Sequence, residues 1–322
     1  MGKALVVGIN NYPTSPLSGC INDMERFSTV IEFNGNGSPN FDVKKVPDIA
    51  TSAELQEQVE ELFGGNDDIA LFYFSGHGYF GTGGGFLVTP DYSKYNMGYR
   101  MDDLIKVANS SSCKNRIIFL DCCTSGALGE DVTSTTNSSE LAEGVTILTA
   151  SRKNEAAVER HGAGVFTDLL VAALQGGAAD FLGNVTPAGI YSYIDRMLNS
   201  WAQRPVFKTN ITGFVPLRKT APQVPVETIR LLTEYFPHPE QEFKLDPSFE
   251  YTNTKEVPHE YIKPYADPIN VQKFKNLQKL QSIGFVVPIG EDYMYYAAMN
   301  SKSCKLTAVG NYYWELVKNH RI

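Results

Sequence analysis

Two apolar runs in this chain end in chemically reactive residues, and that pairing limits the fold more than any other feature. Ile117 to Leu120, preceded by Arg116, lead into Asp121-Cys122-Cys123-Thr124-Ser125-Gly126, and Ile69 to Phe74 lead into Ser75-Gly76-His77-Gly78. Short continuous apolar runs bounded by turn residues read as strands buried on both faces, as in a parallel sheet covered by helices. Side chains alternate along a strand, so Asp121 and Cys123 share one face while Leu120 and Cys122 share the other. By the same rule Ser75 and His77 point one way. In doubly wound sheets such strand tips converge on a common crevice, which here brings together a thiol and an imidazole. That pair suits nucleophilic acyl transfer: the imidazole removes the thiol proton and then protonates the leaving amine.

The surrounding sequence keeps the same alternation of strand and helix. Lys3 to Ile9 form an apolar β run, and a helix holding Met24, Phe27 and Val30 follows, with Asn22 or Asp23 capping or charging its first turn. Phe41 to Ile49 read as a strand, and Thr51-Ser52-Ala53-Glu54 as a capping box opening a helix through Leu62. Gly81 to Gly85 read as a flexible connector, Phe86 to Asp91 as a short β segment, and Met101 to Ala108 as a helix. Asp131 to Glu143 read as an exposed mobile loop. Gly144 to Ala150 form a strand, Val165 to Leu174 and Pro187 to Trp201 amphipathic helices, and Arg204 to Leu217 a sixth strand and a tail. The expected fold is α/β, a mainly parallel six-stranded sheet flanked by helices over residues 1–218.

Composition shifts at Lys219 to Pro225, which reads as a linker to a smaller α+β domain over residues 226–322. There a helix from Val226 to Tyr235 precedes a Tyr-rich, Pro-broken region. A helix from Val271 to Ile283, strands at Phe285 to Ile289 and Tyr293 to Met299, and a helix from Thr307 to Asn319 then resemble a winged-helix module. Residues 223–322 hold eleven Lys and Arg against twelve Asp and Glu, and the whole chain carries a net charge of −8, so neither supplies a bulk electrostatic grip on nucleic acid. The tyrosines at 251, 261, 265, 293, 295, 296, 312 and 313 either offer faces for a nucleotide or partner peptide or fill a small core. No apolar stretch approaches the ~20 residues of a membrane span, and the start lacks a signal peptide, so a cytoplasmic protein without a membrane partner is expected. The five cysteines are irregularly spaced, which argues for reduced thiols rather than a disulfide framework or zinc site.

With Ser75-Gly76-His77-Gly78 and Asp121-Cys122-Cys123-Thr124-Ser125-Gly126 in order, the chain resembles the caspase-like cysteine peptidases, in particular their metacaspase and bacterial caspase-like branch. Thr124 stands where metacaspases have His. The likeness extends to Val6 to Asn10, Gly19 to Asp23, His161 to Thr167 and Gln203-Arg204-Pro205, about residues 3–218. It implies that His77 is the general base and acid, Cys123 the nucleophile, and the backbone amides of Gly78 and Cys123 the oxyanion hole. It also implies a specificity pocket at Cys20, Asp23, Ser75 and Asp121, whose carboxylates suit Arg or Lys before the cut. The 131–143 loop holds no Lys or Arg, so a single-chain active form is expected. No cofactor is needed for the chemistry; calcium as an activator is implied at Asp91, Asp102, Asp103 and Glu130. Bacterial relatives with added modules resemble triggered effectors in cell death or antiviral defence, some answering nucleotide second messengers, which here would bind at or near the C-terminal domain. The competing reading is a ligand-sensing or regulatory binding protein on the same scaffold without turnover.

Overall fold

The computed structural model describes residues 1–81, 84–122, 140–150, 159–160, 163–198 and 205–322. These fall into two compact units, Met1–Ala221 and Pro222–Ile322. The sequence expectations for Cys123 to Gly126, Glu130, the loop as far as residue 139, His161, Trp201, Gln203 and Arg204 lie outside the described residues.

The first unit opens with β1 (Gly2–Gly8), α1 (Cys20–Glu32), β2 (Phe41–Pro47), α2 (Ser52–Phe63) and β3 (Ile69–Ser75). An antiparallel three-stranded layer of β4 (Gly78–Gly81), β5 (Gly84–Leu87) and β6 (Tyr99–Arg100) leads into α3 (Met101–Ser110), β7 (Asn115–Asp121) and β8 (Val145–Thr149). Then come a two-residue pair, β9 (Glu159–Arg160) and β10 (Ala163–Gly164), followed by α4 (Val165–Ala172), β11 (Asn184–Val185), α5 (Pro187–Met197), β12 (Val206–Asn210) and β13 (Arg218–Lys219). The central sheet has six strands in the order β12-β8-β7-β3-β1-β2, all parallel except β12, which runs antiparallel to β8.

The continuous apolar runs explain why the sheet is covered on both sides. Leu5, Val7, Phe72, Phe74, Ile118 and Leu120 pack on one face with Leu55 and Val59 of α2 and Leu104 of α3. Ala4, Val6, Leu71, Tyr73, Ile117 and Phe119 pack on the other with Phe27 of α1, Leu170 of α4 and Ile190 of α5. The edge strand β2 instead exposes Lys44 and Lys45, charges that discourage pairing with another chain. The capping box of α2 forms as read: Glu54 N–H donates to Thr51 Oγ1 at 3.2 Å and Thr51 N–H to Glu54 Oε2 at 3.2 Å.

Three local readings are corrected. Asp23 charges the first turn of α1 as read, but neither it nor Asn22 caps the start; Asn10, in the loop after β1, accepts from Cys20 N–H at 3.0 Å and does that work across ten residues. Of the segment read as a flexible connector, Gly81, Gly84 and Gly85 are paired within β4 and β5, and residues 82 and 83 lie outside the described residues. The start of the supposed linker is bonded into the first unit: β13 pairs with β11, and Thr220 N–H donates to the Gly183 carbonyl at 2.7 Å.

The second unit contains α6 (Val226–Arg230), α7 (Leu232–Tyr235), β14 (Phe243–Lys244), α8 (Pro268–Ser282), β15 (Val286–Ile289), α9 (Met294–Met299), β16 (Ser303–Leu306) and α10 (Ala308–Lys318). Its sheet is antiparallel, ordered β14-β16-β15. The segment 293–299, read as a strand of a wing, is a helix. Met294, Ala297 and Ala298 are buried at helical spacing while Tyr293, Tyr295 and Tyr296 face outward, so the β-prone tyrosines do not decide the conformation. The helix read from Val226 to Tyr235 is likewise two short helices meeting at Leu231. Tyr251, Tyr261 and Tyr312 are also exposed, and the interior is built from Phe236, Phe274, Leu277 and Phe285 instead.

Candidate active site

The site is built at the C-terminal ends of β3 and β7. Ser75 and Asp121 are partners on the last rung between these strands, and Gly76 N–H donates to the Asp121 carbonyl at 3.3 Å. His77 stands two residues beyond this rung; Cys123, two residues beyond Asp121 in sequence, lies outside the described residues.

The half-buried His77 is fixed from two sides. Its Nε2 lies 2.7 Å from the Ser15 carbonyl oxygen. A carbonyl only accepts, so Nε2 carries a proton, and in the neutral ring the lone pair a base needs is then on Nδ1. Ser15 is held at φ 64, a left-handed conformation that costs a residue other than glycine about 1–2 kcal/mol. On the backbone side, His77 N–H donates to the Tyr12 hydroxyl at 3.0 Å, and that hydroxyl donates to the Val88 carbonyl at 3.1 Å. Val88 N–H donates to the His77 carbonyl at 2.9 Å. The Tyr12 hydroxyl is therefore inserted into what would be a ladder rung between residues 77 and 88, and its ring packs 4.6 Å from the imidazole. Burial holds this phenol neutral, far above its usual range. Gly76 makes the insertion fit, because a Cβ there would stand 2.6 Å from the Tyr12 hydroxyl.

Antiparallel rungs alternate between bonded and non-bonded pairs. The Val88-to-His77 bond marks one as bonded, so Gly78, opposite Leu87, falls on a non-bonded pair. Its N–H consequently points out of the ladder.

A second cluster lies on the α1/α4 side of the same strand tips. Asp23, buried in the first turn of α1, accepts from Gly164 N–H through Oδ2 at 3.0 Å. Asp121, also buried, accepts through Oδ2 from Thr167 Oγ1 at 2.6 Å, and the Tyr73 hydroxyl lies 2.6 Å from the same Thr167 oxygen. Both carboxylates converge on Gly164: a Cβ there would lie 2.4 Å from Asp121 Oδ2 and 3.2 Å from Asp23 Oδ2. Burial, reinforced by the Asp121 charge, pushes the Asp23 carboxyl up to about 7, against the opposing pull of the Gly164 amide and Arg26. The other Asp23 oxygen, Oδ1, is buried with no hydrogen-bond donor, and the nearest guanidinium, Arg26 Nη1, stands 3.8 Å away and bonds Asp168 instead at 2.5 Å. Ser75 is buried beside Asp121 on this face, and Cys20 is buried one turn before Asp23 on α1.

The candidate calcium residues behave differently. Asp91 accepts from Asn96 Nδ2 at 2.7 Å and from Ser52 N–H at 3.2 Å, extending the cap of α2. Asp102 pairs with Arg100 at 3.1 Å and Asp103 with Lys106 at 2.9 Å. Among the described residues no three His, Cys, Asp or Glu side chains gather around a point that could hold a cation, and Glu130 lies outside them. Asp91, Asp102 and Asp103 are thus engaged with a helix start and basic side chains and do not by themselves form a calcium site.

Residues 1–215 match the family model of the caspase domain. The chain belongs to the caspase-domain family. Membership places it among cysteine proteases, which act on protein substrates. Among solved structures, this caspase-domain protein is similar to a Geobacter sulfurreducens protein at 18% identity and a TM-score of 0.51, over 69% of this chain and 97% of that one. It is also similar to caspase-1 from Spodoptera frugiperda at 17% identity and a TM-score of 0.50, over 68% and 90%. At such identities the likeness speaks for the fold alone. No curated protein matches the sequence. No helix among the described residues is long and apolar enough to cross a membrane.

Sequence reasoning singled out His77, Gly78 and the four pocket residues but missed Ser15, Tyr12, Gly164 and Thr167 as their supports. A backbone carbonyl carries no residue signature, so Ser15 is invisible in sequence. Gly164 and Thr167 do lie in the 161–167 stretch that carries the family resemblance, which is the signal that was there to follow.

Proposed function

We propose that this chain is a cysteine endopeptidase that cuts proteins after Arg or Lys, with Cys123 as nucleophile and His77 as its base. The observation that carries the specificity is the buried Asp23 Oδ1 without a donor, next to a second buried carboxylate. A guanidinium or ammonium entering there would supply the missing donor and add a positive charge to that of Arg26, which stands 3.8 Å from Oδ1 and bonds Asp168. An Asp side chain in the same place would add a third negative charge.

In this mechanism Nδ1 of His77 takes the Cys123 proton while Nε2–H stays on the Ser15 carbonyl. The thiolate attacks the scissile carbonyl carbon, and the outward N–H of Gly78, with that of Cys123, binds the developing oxyanion. His77 returns the proton to the departing amine. Water, activated by the same imidazole, then releases the acyl group. Within this reading the second unit receives the trigger, a nucleotide messenger or protein partner, and the enzyme serves as a defence or cell-death effector. Its exposed tyrosines supply the surface for that contact.

The test is hydrolysis of fluorogenic peptides ending in Arg, Lys or Asp by the full-length protein, with and without candidate nucleotides, against a Cys123→Ala control. Release from Arg and Lys peptides alone, abolished in the control, is the expected result. No release under any condition would favour the binding-protein reading.

A further inference from the structure

The two sides of the strand tips differ in what they offer a peptide, and the second side has no role in the scheme above. Ser75 and Asp121 project toward the α1/α4 face, in step with Tyr73 and Phe119. Tyr12 and Val88 belong to the core of the opposite face, with Phe74 and Leu120. On that side a cavity of about 330 Å³ is lined by His77 itself and by Tyr12, Pro13, Tyr79, Val88 and Tyr92. Apart from His77, no residue lining it is Asp, Glu, Lys or Arg. Two of its polar groups are already engaged, the Tyr12 hydroxyl on the Val88 carbonyl and Thr89 Oγ1 on Asp91. Tyr79 and Tyr92 are 38% and 46% exposed, rings presented rather than packed away.

We infer that this cavity receives the side chain of the residue that follows the cut, and that it selects an apolar or aromatic one. The inference rests on the endopeptidase reading above. His77 must reach the departing nitrogen, so the leaving segment passes on the His77 side, while the basic side chain before the cut occupies the acidic side. The first residue of the leaving segment then faces the rings of Tyr12, Tyr79 and Tyr92. The volume lies near the lower end of the ~300–1,000 Å³ of small-ligand pockets, suited to one side chain rather than a long segment. An acidic side chain would meet no Lys or Arg among the lining residues and would give up water against aromatic rings. Preferred cleavage sites are thus Arg or Lys followed by Phe, Tyr, Leu or a similar residue, a two-residue signature.

The test uses the full-length Cys123→Ala chain, which binds peptide without cutting it, and three fluorescein-labelled peptides identical up to an Arg. One continues with Phe, one with Asp, and one ends at the Arg as an amide. The Arg–Phe peptide is expected to bind about tenfold tighter than the amide, and the Arg–Asp peptide no tighter than it. Tyr79→Ala in the same background should bring Arg–Phe to within about twofold of the amide and leave the amide's own affinity unchanged. Should Tyr79→Ala fail to fold by circular dichroism, Tyr92→Ala gives the same reading from a more exposed ring. Equal binding of all three peptides, or a Phe preference that survives both Tyr variants, overturns the inference while leaving the basic pocket standing. Binding of none of the three overturns the basic pocket and this inference together.

Discussion

The acidic and aromatic sides of the strand tips are built from the same two strands yet solve opposite problems. On the acidic side, two carboxylates are taken out of water and one oxygen, Asp23 Oδ1, is left without a donor. On the aromatic side the His77 backbone, its Nε2 and the Tyr12 hydroxyl are all bonded, the hydroxyl inserted into a ladder rung. An undersatisfied group awaits a ligand, whereas a fully bonded frame holds a catalyst still. Strand alternation sends residues 73 and 75 one way and 72 and 74 the other, but His77, beyond the end of β3, does not point with Ser75 as the sequence suggested and stands against Tyr12 on the opposite side.

Substitutions confined to one side test this division. The largest effect is expected from Asp23→Ala, which removes the oxygen that lacks a donor and should lower kcat/KM for an Arg substrate by about a thousandfold, chiefly through binding. Tyr12→Phe comes next, and acts on the other side. It strips a donor from the Val88 carbonyl and an acceptor from His77 N–H, for about 1–3 kcal/mol of stability, and should lower kcat for every substrate with little change in KM. Thermal unfolding and steady-state kinetics separate the two variants. If Tyr12→Phe changed Arg selectivity instead of rate, the sides would not be independent.

The glycines give a finer test. Gly164→Ala places a methyl between Asp23 and Asp121, and Gly76→Ala drives one against the Tyr12 hydroxyl. Each should cost about 1–3 kcal/mol of stability by overpacking, read from denaturant melts. Gly164→Ala should in addition narrow the preference for Arg over uncharged residues, and Gly76→Ala should leave that preference alone.

The smallest effect is the pH dependence of the acidic side. With the Asp23 carboxyl titrating at about 7, the ratio of kcat/KM for an Arg substrate to that for its uncharged citrulline counterpart should rise about tenfold from pH 6 to 8. Taking the ratio removes contributions of the thiol and imidazole common to both substrates. Stability moves the other way. Folding raises this carboxyl above its ordinary 3.8, so the native state holds the proton more tightly, and stability falls as pH rises from about 4 to about 7 and levels off beyond. Asp23→Asn should therefore raise the Tm at pH 8 and leave it unchanged at pH 4.

Much of the sheet was legible in the sequence because apolar runs, capping boxes and turn residues are local signals. The pairing of the Ser75 and Asp121 strand ends follows from such signals plus the habit of α/β sheets. What escaped depends on chain segments meeting from afar: Asn10 capping α1, Ser15 presenting a carbonyl to His77, Gly164 wedged between two acids. In the second unit, the tyrosines of 293–299 suggested a strand, yet the alanine and methionine spacing on the buried side made a helix. Asp91, Asp102 and Asp103 looked like ligands for the converse reason, since charge is visible in sequence while the helix caps and ion pairs that use it are not.

One measurement bears on the central claim most directly: mass spectrometric mapping after the full-length protein meets peptide chloromethyl ketones ending in Arg or in Asp. The account predicts a single adduct on Cys123 from the Arg reagent, with little from the Asp reagent and little in His77→Ala or Asp23→Ala. Equal labelling of Cys123 by the Asp reagent, or an adduct carried by Cys20, Cys113 or Cys304 in its place, would contradict it.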